Sequence, residues 1–173
     1  MRKKFSALLI LISLFYGEAR SQDPQFSQFY AAPLYLNPSF AGSTELARVG
    51  VNYRNQWPSL AASFVTYSGY FDYYFDDYNS GVGLLFLSDK EGLAGLNTNS
   101  VALQYTYQFR LTQNLVVRPA LQGSFSSRSI DFENLVFADQ INIDGQWKPV
   151  TDENFNADWS NNFFDVGAGV LAY

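Results

Sequence analysis

The 173-residue chain contains no cysteine and no histidine. Without them there is no Ser-His-Asp or Cys-His nucleophile, no thiolate zinc site and no disulfide framework. Any catalysis would fall to carboxylates, Lys, Tyr or Ser alone. Positive charge is also scarce, with 11 Lys plus Arg against 16 Asp plus Glu. That balance argues against nucleic-acid binding, which needs clustered basic residues. Nor is there an apolar run as long as the roughly 20 residues of a membrane-spanning helix.

The chain is rich in aromatic side chains, which make up 18% of it, with 12 Tyr and 16 Phe. Soluble proteins rarely expose so much aromatic surface, whereas membrane barrels collect Tyr, Phe and Trp where lipid meets water. The first residues have the build of a secretory signal peptide. Arg2, Lys3 and Lys4 precede an apolar stretch from Phe5 to Tyr16, and small residues follow at Ala19 and Ser21. Cleavage is expected after Ser21. It would remove four of the 11 basic residues (Arg2, Lys3, Lys4, Arg20) and one acid (Glu18), leaving seven against 15 and a formal charge of −8.

Residues 22–45 form an expected extended arm, in which Pro24, Pro33 and Pro38 recur too often for a helix or a central strand. Its aromatics Phe26, Phe29, Tyr30, Tyr35 and Phe40 are candidates for packing onto a partner or into the barrel as a plug. From Leu46 onward the hydrophobic period is two. Between Ser100 and Arg110, Val101, Leu103, Tyr105, Tyr107 and Phe109 alternate with Ala102, Gln104, Thr106, Gln108 and Arg110. The pattern resumes after a turn at 111–113, where Leu115, Val117, Pro119, Leu121 and Phe125 alternate with Arg118, Ala120, Gln122 and Arg128. Strands of about 11 residues or more exceed the usual five or six of globular sheets and suffice to cross a membrane with tilt.

Gly81 to Ser88 is apolar on both faces, so its inner side needs cover, for which the arm is available. Arg48, Arg54, Arg110, Arg118 and Arg128 all fall on the polar face, which would line the lumen. A cation turned to lipid near the midplane costs about 2–4 kcal/mol. Connections alternate between short, at 76–80 and 111–113, and long, at 89–97 and 129–162. Outer-membrane barrels show this asymmetry, with the long loops external.

The long loop holds Asp131, Glu133, Asp139, Asp144, Asp152, Glu153 and Asp158, but without the ligand spacing of a calcium loop. No metal and no cofactor is expected, and no small-molecule substrate is indicated. Gly81 and Gly83 are not followed by the Lys-Ser/Thr of a phosphate loop and point to backbone packing instead.

The segment from Gln22 to Ser43, QDPQFSQFYAAPLYLNPSFAGS, resembles the opening of the PorP/SprF family of outer-membrane proteins, associated with the type IX secretion system of Bacteroidetes. The resemblance continues, in order, through Gly81-Val82-Gly83, Asp89 with Gly92, Tyr105-Thr106-Tyr107 and residues 135–140, where Phe137, Asp139 and Gln140 are further partner candidates. It implies an all-β, non-enzymatic transmembrane barrel that supports secretion or surface anchoring of cargo, including gliding adhesins. Its partners would be outer-membrane lipid, secretion-system components and the cargo. Members of that family are commonly near twice this length. About six strands are expected here, ending inside the last at Tyr173, and barrels need at least about eight. The chain is therefore expected to be the N-terminal part of a longer barrel. A passive porin with an Arg-bearing lumen is the alternative function, and a secreted β-sandwich the alternative fold.

These expectations predict that the protein sediments with outer membranes and is released only by detergent. Recovery among soluble periplasmic proteins would be incompatible with a barrel.

Overall fold

The structure is a computed structural model that describes Phe26 and residues 28–59, 63–92, 95–130, 135, 140 and 159–173. The expected signal peptide lies outside the described residues, as does most of the long loop.

The fold is all-β, a single antiparallel sheet built from β1 (Arg48–Gln56), β2 (Phe64–Phe75), β3 (Ser80–Glu91), β4 (Leu96–Tyr107), β5 (Phe109–Thr112), β6 (Leu115–Ser129) and β7 (Ser160–Ala172). Each long strand pairs with the next in sequence, an up-and-down order running from β1 to β7. β5 continues β4 rather than adding a place in that order. Thr106 opposite Ala120 and Phe109 opposite Val117 lie on one uninterrupted register against β6. Two pairs between them are lost where the chain faces Pro119, which has no N–H to give. Gln108 N donates to Asn79 O at 2.8 Å, which continues the β3 register by one position on the other edge of the strand, and Thr106 Oγ1 donates to Pro119 O at 3.0 Å. The sheet is thus six long strands wide, with β1 and β7 as open edges among the described residues.

Period-two alternation sorts the side chains as expected. On β4, Val101, Leu103, Tyr105 and Tyr107 are exposed while Ala102, Gln104, Thr106 and the following Gln108 are buried. Leu103 and Leu121 keep 59% and 62% of their surface open, and Val51 keeps 80%. A continuous apolar face of this kind marks contact with lipid or with another protein. Its lower margin is aromatic, with Tyr73 and Phe75 ring to ring at 4.8 Å and Tyr107 and Phe109 at 4.6 Å. No helix among the described residues is long and apolar enough to cross a membrane.

The connections depart in part from expectation. β3 and β4 run further than read, to Glu91 and from Leu96, so the expected long loop at 89–97 shrinks to a four-residue turn. Gly92 and Gly95 make it possible, at φ 63° and 56°. The 111–113 turn moves to Gln113 and Asn114, and β6 ends at Ser129 while β7 begins at Ser160, so the strand bounds fall at 129 and 160 where a loop over 129–162 was expected. Connections 57–63, 92–95 and 130–159 share one end of the sheet, and the two short turns, at 76–79 and 113–114, share the other.

The arm is not extended throughout. It contains a helical turn, α1 (Pro33–Leu36), between two three-residue 3₁₀ turns, Phe29–Ala31 and Pro38–Phe40. Pro33 and Pro38 begin turns instead of breaking them, because the first position of a helical turn has no use for the missing N–H.

If the exposed face meets lipid, Leu103→Arg at mid-strand should destabilise the protein in bilayers by about 2–4 kcal/mol, and Asn99→Arg nearer the rim by about 0–1. Denaturant titration in lipid vesicles measures both. Equal small costs would mean that this face does not meet the hydrocarbon.

Candidate functional site: the arm and the covered face of the sheet

The face opposite the exposed one carries the polar side chains, and the arm lies on it near the end with the short turns. Asp72, fully buried on β2, is its electrostatic centre. A lone carboxylate at that depth requires charge and hydrogen-bond partners. It takes both from Arg48 on β1, whose Nε donates to Oδ1 at 2.8 Å and Nη2 to Oδ2 at 3.1 Å. Gly42 N of the arm donates to the same Oδ2 at 2.7 Å. Arg48 also reaches Phe40 O at 3.0 Å and lies 5.7 Å above the ring of Tyr70. That ring covers Gly50, its partner across β1 and β2, where a Cβ would collide with it.

Arg118 on β6 is the second anchor and is also fully buried. Nη1 donates to Gln108 Oε1 at 3.0 Å and Nη2 to Ala41 O at 2.7 Å, with the guanidinium 5.5 Å over Tyr74. Gln104 on β4 completes the set: its amide nitrogen donates to Leu34 O at 2.8 Å and to Gln122 Oε1 at 2.7 Å. At the β7 side, Asn37 Nδ2 meets Val170 O at 3.3 Å while its Oδ1 accepts from Ser39 N at 2.9 Å.

Glycine on the sheet allows this closeness. A Cβ at Gly81 would run into the Ala41 carbonyl, and one at Gly83 would lie 3.1 Å from Ala41 Cβ and 3.2 Å from Leu34 Cδ1. Gly169 on β7 gives the same clearance to Asn37 and Pro38. Ala41 and Leu34 are themselves buried, so the inner side of β3 is covered by the arm over Gly81 and Gly83.

Of the five arginines read onto the polar face, Arg48 and Arg118 engage the arm. Arg54 and Arg128 are half-buried on the same face, the first bonded to Gln56 and the second to Thr98 Oγ1 at 3.1 Å. Arg110 pairs with Val116 at the rim and is exposed, because β5 has already emerged past the covered region. Among the arm aromatics, Phe26 packs edge-on against Tyr35 at 5.3 Å, Phe40 is half-buried, Tyr30 is 69% exposed, and Phe29 lies in the first 3₁₀ turn. Gln140 is buried, whereas Phe137 and Asp139 lie outside the described residues.

Apart from the Asn37 side chain, the hydrogen bonds that seat the arm run through its main chain at Leu34, Phe40, Ala41 and Gly42. Of these, Phe40 was among the aromatic candidates but engages through its carbonyl, whereas Leu34, Ala41 and Gly42, and with them Asp72 and Gln104, are not marked by aromatic rings. One signal was available: Asp72 is the single acid in the aromatic run from Tyr70 to Phe75, at a position of polar-face parity.

A family model described as "Type IX secretion system membrane protein PorP/SprF" matches residues 18–173, nearly the whole chain. The chain belongs to the PorP/SprF family. No curated protein and no solved structure matches it. The PorP/SprF match takes in the arm and all seven strands, so the arm and its seat lie within one family unit. The PorP/SprF family is a family of secretion-system membrane components and not a known enzyme family. Among the described residues no group of three or more carboxylates is placed to hold a metal ion.

Asp72→Ala leaves Arg48 and Gly42 N–H without their shared acceptor, and loss of one partner from such a pair costs about 3 kcal/mol or more. The doubly apolar variant Arg48→Met with Asp72→Leu should recover part of that loss in denaturant titrations. A double variant whose cost equals the sum of the singles would show that the two residues act independently.

Proposed function

We propose that the protein is a non-enzymatic outer-membrane component of the type IX secretion system that supports secretion or surface anchoring of cargo proteins such as gliding adhesins. The observation that carries this reading is the PorP/SprF match across residues 18–173. The physical character of the two faces supports it. The exposed face, with Val51, Leu103 and Leu121 largely open, suits hydrocarbon. The covered face is polar, hydrogen-bonded and overlaid by the arm. A membrane protein with this division can offer loops and arm to protein partners while its strands sit in lipid.

Passive diffusion of small solutes is the other reading, since Arg54 and Arg128 on the inner face would suit a water-filled path. The arm weighs against it, because it occupies the inner surface and takes up Arg48 and Arg118.

Deleting the gene should abolish surface display of the adhesin that depends on it. Wild-type display and motility in the deletion strain would refute the secretion reading. In planar bilayers the full-length protein should show little stable conductance, and a large, persistently open conductance would establish the passive channel in its place.

A further inference from the structure

We infer that the covered face near the short-turn end is a peptide seat that reads main chain, and that it accepts a turn-forming segment of another polypeptide once the chain's own arm is displaced. Four side chains on four strands each meet a main-chain group of the arm. Arg48 on β1 donates to Phe40 O at 3.0 Å, Asp72 on β2 accepts from Gly42 N at 2.7 Å, Gln104 on β4 donates to Leu34 O at 2.8 Å, and Arg118 on β6 donates to Ala41 O at 2.7 Å. Recognition through main-chain groups supplies affinity without specifying sequence, and specificity is left to the pockets between them.

Those pockets are legible. Gly81 and Gly83 form a floor with no side chains, which demands small residues at the places of Ala41 and Gly42. Gly42 has φ +68°, and a Cβ there would lie 2.9 Å from Gly81 Cα. Leu34 is fully buried and acts as the apolar anchor. The ligand class is therefore a turn-forming peptide with a leucine-like anchor and a small-small pair beginning seven positions later. The seat also has capacity that the arm leaves unused: Arg118 Nε and Gln104 Oε1 are buried with no partner. A ligand satisfying them would gain over the arm, because an unpaired buried polar atom is destabilising.

The arm is tethered to β1 through the exposed link from Thr44 to Ala47. Tethering of this kind gives an effective concentration on the order of millimolar, so a free peptide competes only when the arm is weakened. The inference does not depend on which cargo the protein serves, and its readout is peptide binding rather than surface display. The two readings can thus fail separately.

The test uses the full chain in detergent and a fluorescent peptide of residues 33–44. Gly42→Val in the chain should dislodge the arm and leave the sheet intact, raising affinity for the peptide by about a hundredfold over wild type. The same peptide carrying valine at Gly42 should not bind, and adding Gly81→Val to the chain should abolish binding. Peptide affinity equal in wild type and Gly42→Val, or indifferent to Gly81→Val, would overturn the seat. A protease site introduced at Glu45 gives a second route that needs no change within the seat. After nicking of the folded chain the labelled peptide should replace the freed arm, and its failure to do so would also overturn the proposal.

Discussion

A strand that lies in hydrocarbon must have every N–H and C=O paired, because no water is there to take their place. In this PorP/SprF family member the antiparallel ladder pairs each long strand with its neighbour in sequence, leaving the outward edges of β1 and β7 open among the described residues. The demand is most visible where it is hardest to satisfy. Pro119 removes a donor from β6 and the pairs opposite it are lost, while Thr106 Oγ1 donates to the Pro119 carbonyl and Gln108 N bonds Asn79 O on the β3 side. The register with β6 stays continuous from Thr106 to Phe109, so both faces of the sheet carry on across the gap.

Pairing at period two has a second consequence. The polar groups that alternate with the apolar ones are driven onto one face, and four of them, Asp72, Gln104, Thr106 and Arg118, end up fully buried. Buried polar groups need partners. Strand neighbours supply some of them, as Arg48 does for Asp72 and Gln108 for Arg118. The arm supplies others from its backbone. Arm and sheet are consequently interdependent, since the arm's main chain is satisfied by the same side chains that it satisfies. Glycines at Gly81, Gly83 and Gly169 keep the approach open, and Ala41 and Gly42 answer them with minimal volume.

Much of this was legible before the structure. The alternation from Ser100 to Arg110 assigned the correct face to every residue from Val101 to Gln108, and the apolar inner side of β3 signalled a need for cover. Other features were not legible. Prolines in the arm suggested continuous extension, yet Pro33 and Pro38 start helical turns, a distinction set by position, since the first residue of a helical turn has no acceptor for an N–H. Arg110 shares the parity of Arg118 but not its burial, because parity reports the face of a strand and not how far along it the cover extends.

By itself the sequence determined the class of fold, the strand faces and the family. Those properties are local: side-chain alternation follows from strand geometry, and the motifs of residues 22–43 lie along one stretch of chain. Only the tertiary structure decided which groups hold the arm. Leu34 and Gln104 are joined across 70 positions, and Ala41 and Arg118 across 77. A bond to a carbonyl leaves no mark on residue type at the acceptor, because every residue has that carbonyl. The contacts that seat the arm depend on where the folded sheet places it, and side-chain identity does not encode that position.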